Sequence, residues 1–116
     1  MAYERKIPVH IAYPLRLTLN LIEHKWRGCI INILRSGEPM RLNEIHKCLH
    51  MANSRVINLQ IKAMLEDGLL VRKDYGEIPP RTEYQLSELG LSLVPVIDIL
   101  IIWGIEHRSY FAGKEK

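Results

Sequence analysis

Four residues near the middle of the chain, Arg55, Asn58, Leu59 and Lys62, follow one another at offsets of three, four and seven. On a helix that spacing puts them on one side. Their types suit a nucleic-acid duplex. A guanidinium can meet guanine or a phosphate, a carboxamide can address an adenine edge, and an ammonium two turns on suits the backbone. Ser54, just ahead, is expected to cap this helix and to meet a phosphate through its hydroxyl and the free N–H groups of the first turn. Taken alone, the stripe also fits an ordinary solvated helix face. Arg41 opens the preceding predicted helix and is a candidate phosphate clamp or a plain surface arginine. Arg72, Lys73 and Arg81 flank a segment holding Glu77, Ile78, Pro79 and Pro80. Arg81 is the foremost candidate there for a minor-groove or phosphate contact, although Asp74 and Glu77 offset part of the charge.

Other chemistries have weaker support. His46, Cys48 and His50 invite a metal reading, but on a helix Cys48 points away from the two histidines. Four ligands at an organised spacing are missing, so neither a metal nor a cofactor is expected. No Ser/His/Asp or Cys/His constellation is visible, nor a glycine-rich phosphate loop, and the chain is not expected to be an enzyme. Cys29 lies among Trp26, Ile30 and Ile33 and reads as a core residue. Two cysteines in 116 residues make no disulfide framework and fit a reducing compartment. The N-terminus lacks a secretory pattern. A cytoplasmic location is the expectation.

The elements that must position these residues follow from apolar period and punctuation. Residues 1–13 read as an arm. Pro14 opens a short first helix with Leu15, Leu17, Leu19, Leu21 and Ile22. A second helix is predicted over 25–35, with Trp26, Cys29, Ile30, Ile33 and Leu34 at helical spacing, and Gly37 and Pro39 stop it. A third, short helix covers 41–49 with Leu42, Ile45 and Leu49 inward. A four-residue link leads to the fourth, 54–67, whose inward face is Ile57, Ile61, Met64 and Leu65. Gly68 ends it. Residues 69–75 and 82–86 alternate as two strands of a hairpin around Gly76, Pro79 and Pro80. Ser87 caps a last helix reaching about residue 107, with Pro95 expected to kink it; residues 108–116 form a tail. Short helix, tight link, longer helix and hairpin define an α+β winged helix-turn-helix with a two-stranded wing and flanking terminal helices, in one domain over 14–107.

Charge alone does not make the case for nucleic acid. The chain carries a formal +3 and a pI near 9.0. Its net charge is +3 over residues 1–40, +1 over 41–85 and −1 over 86–116. If DNA is bound, the fold must gather the cations.

The segment 91–105 is almost continuously apolar, yet it contains Pro95 and Asp98 and is short for a membrane span. A small winged core cannot cover all sides of such a helix, and a second copy offers the same surface. Leu93, Val96, Ile97, Leu100, Ile101 and Trp103 are therefore expected at a homodimer seam, completed by Leu15, Leu19 and Ile22.

Several motifs occur in an order that resembles the HxlR-type family of winged-helix transcriptional regulators, distantly related to the MarR-like group. They are His24–Lys25–Trp26, Arg41–Leu42–Asn43–Glu44–Ile45, Ser54–Arg55–Val56–Ile57 and Leu65–Glu66–Asp67–Gly68–Leu69. Pro79–Pro80–Arg81–Thr82–Glu83–Tyr84, Leu86–Ser87–Glu88–Leu89–Gly90, Leu93–Val94–Pro95–Val96 and Trp103 follow. The resemblance implies a homodimeric regulator reading double-stranded DNA at an inverted-repeat operator. It implies that Ser54, Arg55, Asn58, Gln60 and Lys62 lie at or beside the reading surface, and that Arg81 belongs to the wing. Many members carry a sensing cysteine immediately before the proline of the first helix. Here Tyr13 stands there, so that thiol route is not expected, and the chain names no effector. Glu23 and His24 replace the glycine pair usual before Lys–Trp. A winged helix that binds a protein instead of DNA remains the alternative.

Overall fold

The computed structural model describes residues 13–113. Residues 1–12 of the expected arm and the last three residues lie outside this range, while Tyr13 begins the first helix. Helix α1 (Tyr13–Ile22) leads to α2 (Arg27–Ile33), a two-residue strand β1 (Met40–Arg41), α3 (Leu42–Cys48) and α4 (Ser54–Glu66). Strands β2 (Leu70–Asp74) and β3 (Thr82–Leu86) form the hairpin; α5 (Glu88–Ser92), α6 (Val94–Glu106) and a 3-10 turn (Arg108–Phe111) complete the order.

The apolar periods meet in one core. Ile30, Ile31 and Leu34 of the α2 region, Ile45 and Leu49 at α3, and Ile57, Ile61 and Met64 of α4 are all buried. Leu69, Leu70 and Leu86 add the floor from the hairpin. Tethering both helices of the α3–α4 pair to this core fixes what α4 shows to solvent.

The sheet has three strands in the order β1-β3-β2, all antiparallel, rather than the two expected. Met40 pairs with Tyr84 and Arg41 with Glu83, while β2 runs beside β3 from Leu70–Leu86 to Asp74–Thr82. Arg41 is thus a strand residue and the N-cap of α3, not its first turn. Its N–H donates to Glu44 Oε1 at 2.8 Å.

The hairpin hands over to α5 at a tight junction. Ser87 Oγ accepts from Gly90 N–H at 3.0 Å and donates to Gly68 C=O at 2.6 Å. This presses the first turn of α5 onto the chain at Leu69. A Cβ on Gly90 would stand 2.2 Å from the Leu69 carbonyl oxygen, so only glycine fits.

The last helix is divided at Leu93 into α5 and α6. Pro95 falls in the first turn of α6, where its missing N–H leaves no bond unmade. Leu93 and Ile97, expected on a dimer seam, are instead buried in the protomer's own core, at 8% and 4% exposure. Val96 and Ile22 are half-buried against that core. The other face of α6 is bare: Ile99, Leu100, Ile102, Trp103 and Ile105 are each more than half exposed. No residue of α1 is buried, and Leu15, Leu17 and Leu19 lie open.

Candidate nucleic-acid interface

Helix α4 buries Ile57, Ile61 and Met64 and turns Arg55, Asn58, Leu59 and Lys62 to solvent. Its N-cap is Asn53 rather than Ser54. Both types can cap, but Asn53 Oδ1 accepts from Arg55 N–H at 2.8 Å, which starts the helix one residue earlier than the hydroxyl would. Ser54 becomes the first helical residue and is exposed beside Arg55. Arg55 and Lys62 form no ion pair among the described residues, so both cations face solvent uncompensated.

Asn58 is exposed but not unattended. Its Oδ1 lies 2.7 Å from Nε2 of His46 on α3. In the sequence His46 stands out only beside Cys48 and His50, and nothing there joins it to a residue twelve positions on. Among the described residues, no group of three or more His, Cys, Asp or Glu side chains is placed to hold a metal ion.

Gln60 faces away from the stripe. It is half-buried, and its Oε1 accepts from Arg27 Nε at 2.8 Å. Arg27, which the sequence did not single out, is 8% exposed. Its Nη1 donates to the Leu21 carbonyl at 3.0 Å and to Asp67 Oδ2 at 2.7 Å. One guanidinium therefore ties the end of α1 to the second half of α4 and to its C-cap. Gln60 belongs to this node, which places its amide away from a base-reading position.

The wing carries charge in two conditions. Lys73 is exposed, its Nζ 5.1 Å from the Tyr75 ring centroid. Arg81 is held within the hairpin: Nη2 lies 3.2 Å from Glu83 Oε2, Nη1 3.5 Å from Glu77 Oε1, and the guanidinium 4.0 Å from the Tyr75 ring centroid. Glu83, only 8% exposed, also accepts from Tyr75 O–H at 2.5 Å and lies 4.0 Å from Arg41. The tyrosine hydroxyl foremost, then Arg81 and Arg41, hold its carboxyl below the usual carboxylate range. Arg81 thus braces the wing, and Ile78 stands 98% exposed at the tip. Between α4 and the sheet runs a groove of about 350 Å³ lined by Leu42, Asn58, Ile61, Lys62, Leu65, Arg72 and Tyr84. It joins the α4 cation Lys62 to a wing cation, Arg72. Arg41 stays exposed at the sheet edge nearest α3.

The two cysteines differ in setting: Cys29 is half-buried and Cys48 exposed.

Comparison with known proteins places this arrangement. The model of a family described as HxlR-like helix-turn-helix matches residues 21–110. An uncharacterized HTH-type transcriptional regulator of Halalkalibacterium halodurans is 32% identical over 96 residues, covering 83% of this chain and 85% of that protein. The uncharacterized HTH-type transcriptional regulator YdeP of Bacillus subtilis is 35% identical over 96 residues, covering 83% and 74%. Among solved structures, the redox regulator HypR in its reduced form matches with a TM-score of 0.79 at 30% identity, covering 86% of this chain and 98% of that one. A MarR-family regulator of Porphyromonas gingivalis matches with a TM-score of 0.77 at 29% identity, covering 88% and 98%.

Proposed function

The chain belongs to the HxlR-like helix-turn-helix family of transcriptional regulators, and from that membership we propose that it binds double-stranded DNA sequence-specifically as a homodimer. The observation that carries this reading is the exposed stripe of α4. Arg55, Asn58, Leu59 and Lys62 project from a helix whose opposite side is locked into the core. A helix so presented enters a major groove with its N-terminal half on base edges. In this reading Asn58 and Arg55 meet bases, Leu59 meets a thymine methyl, and Ser54, Lys62, Arg41, Lys73 and Arg72 meet phosphates. Arg81 supports the wing from within.

The homodimer is supported by the bare faces of α6 and α1. From Glu88 to Glu106 the chain is apolar and long enough, by length and composition, to cross a bilayer, with a mean hydropathy of 1.9. Yet Leu93 and Ile97 anchor it in the core, and Asp98 pairs with Arg35 on α2's side. An anchored helix with one free apolar face fits a two-fold seam better than a lipid span. Leu100, Ile101 and Trp103, with Leu15 and Leu19, form that seam, and Ile22 and Val96 border it. Two copies of α4 then address half-sites roughly 34–36 Å apart, which makes the operator an inverted repeat. The regulator works in the cytoplasm, where DNA is available to it.

Binding of the full chain to labelled DNA from upstream of its own gene, at physiological salt with excess competitor, tests the reading. One fragment is expected to be retained, and Lys62→Ala should lower the slope of log K against log salt by about one. Equal binding to all fragments, together with a stable protein partner, would support the protein-binding alternative instead.

A further inference from the structure

We propose that His46 decides which base edge Asn58 reads, by holding the Asn58 amide so that its donor faces the groove. This rests on the reading of α4 as the base-contacting helix. The two residues are on different helices of the α3–α4 pair, and Nε2 of His46 stands 2.7 Å from Oδ1 of Asn58. An amide oxygen cannot donate, so Nε2 must carry the hydrogen. A neutral ring is then the Nε2–H tautomer.

The consequence follows from the planarity of the amide. With Oδ1 turned to His46, Nδ2–H2 projects on the other side of the exposed side chain. An unrestrained asparagine reads adenine by accepting from N6–H and donating to N7. Here His46 takes one of the two lone pairs of Oδ1 and fixes the amide plane, with the donor turned outward. A donor finds two adjacent acceptors on guanine (N7 and O6), one each on adenine (N7) and thymine (O4), and none on cytosine. Asn58 held by His46 thus prefers guanine, where its residue type alone points to adenine. His46 is a positioning residue: it touches Asn58, and Asn58 touches the base.

The test is selection of binding sites from randomised duplex DNA by the full-length wild type and by Asn58→Ala, His46→Phe and His46→Gln. The base pair read by Asn58 is the one whose preference collapses in Asn58→Ala. Wild type should choose guanine there. His46→Phe, which keeps a ring but has no donor, should move that one position toward adenine by about tenfold. His46→Gln restores a donor and should hold guanine. Far-UV circular dichroism and the thermal melt should be unchanged in both, which a loss of structure would not allow. Independently of DNA and of any variant, long-range 15N–1H correlation on the free protein with the ring neutral should show the Nε2–H tautomer. An Nδ1–H tautomer, with Nε2 accepting from the Asn58 amide, overturns the proposal. So does a wild-type consensus of adenine at that position, or a guanine preference that His46→Phe leaves intact. A wild type that selects no sequence at all overturns the DNA reading itself, and this proposal with it.

Discussion

Replacing Arg27 with methionine should cost about 2–3 kcal/mol of stability, and the figure can be built from the contacts. The guanidinium is nearly enclosed and makes three bonds: to the Leu21 carbonyl, to Gln60 Oε1 and to Asp67 Oδ2 at 2.7 Å. Removing one partner of a buried ion pair costs about 3–5 kcal/mol when the other is left dry. Asp67 is not dry, however, since its side chain is 38% exposed, and water can take over its carboxylate. Most of the ionic part is therefore recovered. What remains is an amide oxygen and a carbonyl, both in part-buried contacts that lose a charged donor, at about 1–2 kcal/mol each before relaxation. Methionine returns some of this by packing its stem where the arginine stem lay. Urea unfolding at one fixed protein concentration reads the change directly, and the melting temperature should fall by about 10 °C. Asp67→Asn should cost less, about 1 kcal/mol, and the double variant should show a coupling of similar size. Gln60→Ala should follow the same pattern, losing stability while leaving base preference in place. A loss below about 0.5 kcal/mol in Arg27→Met, or strictly additive effects with Asp67→Asn, would refute the node.

Four further outcomes are expected. Gly90→Ala should be destabilising by about 3 kcal/mol, because its new carbon would meet the Leu69 carbonyl at 2.2 Å and the α5 junction must move; a thermal melt like wild type would contradict this. Ile101→Asp should weaken dimerisation at least about a hundredfold by placing a charge in the apolar seam, with the protomer still folded; sedimentation equilibrium reads it, and an unchanged oligomer would show that the seam lies elsewhere. Glu83 contributes stability above its unfolded value of 4.5, because its folded carboxyl is held lower, and that contribution drains as pH falls through the folded value. Glu83→Gln should therefore be less stable than wild type at pH 7 and lose less on acidification from pH 5 to pH 3; parallel acid profiles would contradict this. Mild, reversible thiol oxidants should leave DNA binding unchanged, as Tyr13 offers no thiol at the head of α1; release of DNA that disappears in Cys48→Ser would overturn the expectation.

The parts legible in the sequence are those whose signal is local. Ile57, Ile61 and Met64 repeat with the helical period, so the inward side of α4, and hence its outward stripe, follows from spacing alone. The hairpin announced itself through alternation and its glycine and prolines. By contrast, β1 is two residues long and exists only because β3 lies beside it, so Met40 and Arg41 carried no strand signal of their own. Asn53 and Ser54 are neighbouring cap formers, and only the bond to Arg55 N–H decides between them.

The terminal helices show a different limit. Helix α6 is apolar around most of its surface, so its sequence says little about which residues its own core takes. Leu93 and Ile97 go inward where α6 packs on α2, and the remaining apolar residues are left over by that packing. Polar partners are harder still. Arg27 finds Gln60 and Asp67 thirty-three and forty residues away, and His46 finds Asn58 across a helix pair. Each of these residue types is ordinary on a surface, and only the packing of the core turns them toward one another. Polar side chains paired across helices need no sequence signature beyond the core that aligns them. A change at Ile45 or Ile57, by shifting α3 against α4, should therefore disturb the His46–Asn58 contact as surely as a change in either polar residue.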